Sequence, residues 1–147
     1  MNNNNYNLDR FKAAQAVSYA QALSEIKAGR KTSHWIWYIF PQIAGLGTSY
    51  RSRQYAIKDI NEAKAYLADD HLRLNLEEIC SALLELDDDN PEHVMGSSID
   101  AIKLQSSMTL FALASASQDN IYNKVLDKFF NGHKDAKTCD IINFNLN

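Results

Sequence analysis

The run Trp35-Ile36-Trp37-Tyr38-Ile39-Phe40 constrains this chain more than any other segment. Wound as a helix, it is apolar or aromatic on every side, and in a water-soluble protein such a helix has to be covered all round, in the middle of a bundle. Pro41 stops it, because proline lacks an amide hydrogen and restricts the residue before it. Ser33 stands at the cap position, so the segment predicts a helix from His34 to Phe40. The rest of the chain agrees with helical packing. Only two prolines and five glycines punctuate it, and strictly alternating β-branched runs are missing, so a period of 3.6 organises almost everything. The expected fold class is all-α, a compact bundle of six to eight helices around two central apolar ones.

A first helix is predicted after Asn7 or Asp9, with Phe11, Gln15, Tyr19, Ala22 and Ile26 on one stripe and Gly29 at its end. Tyr50 to Ile57, capped by Ser49, reads as another. Asp59 and Glu62 have capping-box spacing for a helix to Ala68, and Asp70 is placed to cap the next. From His71 to Leu86 the stripe is Leu72, Leu76, Ile79, Cys80, Leu83 and Leu84. Pro91 opens a further turn after the solvated run Asp87 to Asn90, which lacks the glycine and ligand spacing of a calcium loop. The second central helix is Ser98 to Ala114, where Ile99, Ile102, Leu104, Met108, Leu110, Phe111 and Leu113 cover most of the circumference. Ile121 to Phe130, closed by Gly132, and a last helix from near Asp135 to around Phe144 complete the series. At 147 residues one domain, residues 1–147, is expected, with residues 1–6 as a frayed tail.

A formal charge of −3 disfavours general nucleic-acid binding through whole-surface positive charge. No apolar run reaches the roughly 20 residues of a membrane span, and the polar start lacks a signal peptide's features, so a cytoplasmic location and no membrane partner are expected. Cys80 and Cys139 lack metal-binding or redox spacing, and His71, His93 and His133 fall in unrelated positions, so no metal site is expected. The residues identify no cofactor.

Chemistry concentrates on the two central helices. Asp100, Lys103 and Ser107 share an arc of about 60° between Leu110 and Phe111, a polar strip between apolar walls. It is either a surface pair or the floor of a pocket. Ser106, Ser107 and Thr109 either bond back to the preceding turn or meet a ligand. His34, held neutral by the amino end of its helix, is placed to take a proton or to bond locally. Trp35 and Trp37 offer stacking faces or ordinary core, and Arg51, Arg53 and Lys58 follow the loop with Gly45 and Gly47, where the backbone is free to approach a ligand. The candidate catalytic residues are thus His34, Asp100 and Lys103. The candidate ligand-binding residues are Trp35, Trp37, Gln42, Gly45, Gly47, Arg53, Tyr55, Ser106, Ser107 and Thr109.

Read together, the motifs Ser33-His34-Trp35-Ile36-Trp37-Tyr38-Ile39-Phe40-Pro41-Gln42-Ile43, Gly45-Leu46-Gly47 and Tyr55-Ala56-Ile57 resemble the bacterial and fungal family catalogued as domain of unknown function eighteen-ten. So do Gly96, Asp100, Lys103-Leu104 with Ser106 to Phe111, the opening Leu8-x-Arg10-Phe11 and the closing Asp127-x-Phe129-Phe130-x-Gly132. The resemblance implies a compact single-domain all-helical fold and no established activity. It also implies a recurring polar set, which falls here on Ser33, His34, Gln42, Tyr55, Asp100, Lys103, Ser106, Ser107 and Thr109. Met95 and Ile36 depart from the family's usual Phe and Met but stay apolar.

Three functions compete for these residues. The first is an enzyme or sensor for a small anionic metabolite, nucleotide-like or ADP-ribose-like by loose analogy with other helical proteins, bound between the two central helices. There Lys103 contacts phosphate or carboxylate and His34 or Asp100 serves as acid or base. The second is a protein-interaction or adaptor module with a protein partner. The third is a structural or toxin-antitoxin-type partner without a small-molecule site. A concave pocket lined by His34, Gln42, Asp100 and Lys103 favours the first, whereas a flat apolar patch favours the second.

Overall fold

A computed structural model describes residues 6–146; residues 1–5, most of the expected tail, lie outside the described residues. The described residues contain nine helices and no strand. They are α1 (Asp9–Lys27), α2 (Ile36–Ile39), α3 (Tyr50–Gln54), α4 (Ile60–Ala68), α5 (Asp70–Glu85), α6 (Pro91–Met95), α7 (Ser98–Ala114), α8 (Ile121–Phe130) and α9 (Ala136–Leu146). None of them is long and apolar enough to cross a membrane.

The apolar stripes set the packing. Phe11, Gln15, Ala22 and Ile26 of α1 are buried as their spacing requires, and α1 lies against α2 and α5. Leu72, Leu76, Ile79, Cys80 and Leu83 turn α5 toward the same core. The hub is α7, which touches α2, α4, α6, α8 and α9. That is why Leu104, Met108, Leu110 and Phe111 are needed around so much of its circumference. A chain of rings, Tyr38–Tyr55–Phe11–Tyr66–Phe111–Tyr122, runs through the core at centroid separations of 5.1 to 6.0 Å. Buried Gln15 stitches across it, donating to the Tyr38 carbonyl at 2.9 Å and the Tyr66 hydroxyl at 3.0 Å, and accepting from Asn75 at 3.1 Å.

Several local expectations shift. The aromatic helix shortens to Ile36–Ile39, with Trp35 at its cap and no capping side chain, because Ser33 bonds Glu25 instead. Asp69, not Asp70, caps α5 by accepting from the Leu72 amide at 3.1 Å. Ser49 caps α3 as its spacing suggests, but the helix ends at Gln54. There the main chain enters a parallel bridge, in which Ile57 donates to Gln42 and Ala44 donates to Ile57, both at 2.8 Å. Residues 42–57 therefore form a closed loop with α3 inside it. Ile99 and Ile102, expected inside, are 66% and 57% exposed, and Leu113 is exposed too. The first turns of α7 are flanked by residues 42–47 and the start of α9 without being covered by them.

Candidate functional site

Two charged groups that the sequence reading passed over organise the ground beneath the site. Glu25, on the buried face of α1, accepts from the amides of Thr32 and Ser33 and from Trp35 Nε1 at 2.7, 2.9 and 2.9 Å on one oxygen. The other oxygen accepts from the Ser33 hydroxyl and from Gln21 at 2.8 Å. Burial alone raises a carboxyl's pKa; here the hydrogen bonds from Ser33, Gln21, Thr32 and Trp35 outweigh it and hold Glu25 well below the usual carboxylate range. Six residues on, Lys31 is also buried. Its ammonium lies 2.8 Å from an Asp100 oxygen, donates to the Ser33 carbonyl at 2.6 Å and sits 5.0 Å from the Trp35 ring centre. Residues 31–35 are thereby tied to α1 on one side and to α7 on the other.

Gly96 makes this docking fit. Its φ is +84°, which L side chains rarely adopt, and an added Cβ would fall 2.7 Å from the Lys31 carbonyl oxygen. The Lys31 amide meanwhile donates to the Val94 carbonyl at 2.7 Å.

Asp100 is therefore first of all the partner of Lys31. Lys103, expected to be held by Asp100, stands 3.9 Å from its other oxygen. One carboxylate faces two ammonium groups, and the nearer one takes most of its charge. Lys103 is left with positive charge largely unmatched, its side chain 24% exposed, on the wall of a cleft of about 220 Å³. Ile99, Ile102 and Ser106 continue that wall along α7, Gln42, Leu46 and Gly47 form the facing side, and Asp135 and Lys137 close the end. Trp37 flanks the cationic corner: the Lys103 ammonium is 5.6 Å and the Arg51 guanidinium 5.2 Å from its ring centre.

Of the candidate residues, the fold brings Gln42, Gly47, Lys103 and Ser106 to this cleft, with Asp100 behind Lys103 and Trp37 beside it. Gly45 and Arg53 join Gln42 and Gly47 around an adjoining hollow. Gly45 has φ +106°, as the turn of this loop needs, whereas Gly47 is close-packed, an added Cβ lying 2.6 Å from Ser52. The others fall elsewhere. His34 is exposed and lines neither hollow, because the shortened helix leaves it outside the first turn. Trp35 is buried on Glu25 and offers no stacking face, and Tyr55 packs on Phe11 and Tyr38.

The hydroxyls divide. Ser106 and Thr109 bond back to the carbonyls of Ile102 and Gln105 at 3.1 and 2.8 Å, and Thr109 also accepts from the Asp135 amide at 2.8 Å, which seats the start of α9. Ser107 Oγ is buried without a hydrogen-bond partner. Cys80 is fully buried beside Met108, and burial pushes its thiol up, away from nucleophilic use. Among the described residues no three His, Cys, Asp or Glu side chains gather as metal ligands would.

Glu25 did leave a signal in the sequence, since it falls three residues after Ala22 on the apolar face of α1. Lys31 left none, because its partner is 69 residues away on another helix. The cleft walls from Leu46, Asp135 and Lys137 depend likewise on tertiary approach.

The chain is thus an all-helical protein with one core, whose candidate site lies between the start of α7 and the loop that follows α2. It belongs to the family described as Protein of unknown function (DUF1810), whose pattern matches residues 5–142. It is similar over nearly its whole length to the conserved hypothetical protein Rv1873 from Mycobacterium tuberculosis. That crystal structure superposes with a TM-score of 0.89 at 37% identity, covering 94% of this chain and 97% of the other. Among curated proteins there is no match.

Proposed function

We propose that the protein binds a small anionic molecule in the cleft between the start of α7 and residues 42–47. One observation carries this reading: the Lys103 ammonium is only partly matched, standing 3.9 Å from an Asp100 carboxylate that Lys31 approaches to 2.8 Å, on an otherwise mostly apolar wall. A cation beside apolar surface suits a carboxylate or phosphate attached to a small neutral body. At about 220 Å³ the cleft is smaller than the roughly 300–1,000 Å³ of sites that enclose drug-sized ligands. It accommodates a ring-sized or amino-acid-sized group, so a nucleotide-like or ADP-ribose-like ligand would enter by one end. The orientation of Trp37 beside Lys103 and Arg51 supplies an aromatic neighbour for that group.

The test is a thermal-shift screen of anionic metabolites on the wild-type protein and on Lys103→Met. A ligand at 100 times its dissociation constant adds roughly 2.7 kcal/mol. The reading requires at least one anion whose shift disappears in Lys103→Met. A library that shifts both proteins equally, or neither, removes it. A second reading, a protein-interaction face, draws on exposed Ile99 and Ile102. It predicts instead that no anionic metabolite shifts the wild-type protein and that replacing both by Ser abolishes capture of a partner.

A further inference from the structure

Gln42 and Gly47 each border two hollows. Beyond them, inside the closed loop of residues 42–57, lies a second space of about 130 Å³ that is also lined by Gly45, Ser52 and Arg53. These two residues are the lining the hollows share: Gly47 has no side chain and packs on Ser52, and Gln42 uses its main-chain carbonyl to accept from Ile57, which leaves its side-chain amide for the space between. Arg53 enters no ion pair among the described residues. Neither hollow alone reaches the size of a usual ligand site, and the two together do. Cations stand in both, Lys103 and Lys137 in one, where the Asp135 carboxylate is taken up by the Thr138 amide and hydroxyl, and Arg53 in the other, in a chain whose net charge is −3.

We infer that the ligand carries two anionic groups, carboxylate or phosphate, one met by Lys103 and the other by Arg53, joined by a short neutral bridge that passes the Gln42 amide. This rests on the reading of the cleft as an anion site. Guanidinium is suited to the second position because its planar fork matches a carboxylate or phosphate edge, whereas the lysine acts as a point charge. The Gln42 amide offers the bridge both a donor and an acceptor.

Isothermal titration of the full chain with matched pairs separates the two ideas. The pairs are hexanoate with adipate and inorganic phosphate with pyrophosphate, titrated into wild type, Arg53→Gln and Lys103→Met. For at least one pair the ligand with two anionic groups should bind about tenfold or more tighter than the ligand with one, since the second contact is made intramolecularly. Arg53→Gln should bring the two-group ligand down to the affinity of the one-group ligand and leave the latter unchanged, and Lys103→Met should weaken both. The discriminating pair names the anionic group. Equal binding of the one-group and two-group ligands, or an equal loss of both in Arg53→Gln, overturns the two-anion inference and leaves the single-anion reading standing. No heat from any probe up to about 10 mM, beyond the millimolar range of weak binding, removes both.

Discussion

Replacing Lys31 and Lys103 one at a time by Met should separate the structural lysine from the one that faces the cleft. Both stand beside Asp100, and both keep their stem volume in the variant. Lys31 has a side chain 6% exposed, lies 2.8 Å from the carboxylate and also satisfies the Ser33 carbonyl at 2.6 Å. Removing one partner of a buried pair costs about 3–5 kcal/mol, because the other charge is left unpaired. Here Lys103 can swing toward Asp100 and recover part of the loss, so about 3 kcal/mol is expected. For a chain of 147 residues that lowers Tm by roughly 9 °C. Lys103 at 3.9 Å and 24% exposure is closer to a surface pair, worth about 0–1 kcal/mol, or roughly 3 °C at most. Urea melts on the two variants, with m-values checked against wild type, give both numbers on one scale. Lys103→Met losing more than about 3 kcal/mol, or Lys31→Met losing less than about 1, would refute the division of roles.

Glu25→Gln tests the other buried charge, and its pH dependence has a definite sign. The folded-state pKa of Glu25 lies below its ordinary 4.5, so its contribution is fully present above that value and is lost as pH falls toward the folded pKa. The variant should be about 2–3 kcal/mol less stable at pH 7, the scale of hydrogen bonds to a charged group, with the gap to wild type narrowing below about pH 4.5 in denaturant melts; a gap constant down to pH 3 contradicts the assignment. Gly96→Ala should lose about 2 kcal/mol or more by thermal melting, since it combines a strained φ with a Cβ pressed against the Lys31 carbonyl. A near-neutral Gly96→Ala would mean that residues 31–35 do not dock as described.

How far the sequence foretold this structure depends on the range of the interaction. The stripes of α1 and α5, the caps Ser49 and Asp59 and both ends of α7 follow from spacing, because each is set within a turn or two of helix. The family motifs also point to Gln42, Gly47 and Lys103, which the fold gathers. Periodicity could not show that Ile99 and Ile102 lie at an open end of α7, since apolar character says that a residue prefers cover but not whether a neighbour reaches it. Nor could it pair Lys31 with Asp100. The expected Asp100–Lys103 bond is the local choice at i+3, and a buried lysine arriving from residues 31–35 outcompetes it. The same displacement frees Lys103 for the cleft.

The two tryptophans provide the most direct measurement on the cleft. Trp35 is buried with its Nε1 donating to Glu25 at 2.9 Å, whereas Trp37 lies beside Lys103 and Arg51. Their two indole N–H resonances can be followed by NMR while an anion that passes the thermal-shift screen is titrated in. Binding at the cleft moves the Trp37 signal in a saturable way, leaves the Trp35 signal in place, and loses the effect in Lys103→Met. Saturable binding that leaves Trp37 unmoved, or that moves it equally in Lys103→Met, would place the ligand elsewhere and contradict the assignment of Lys103 as its anchor.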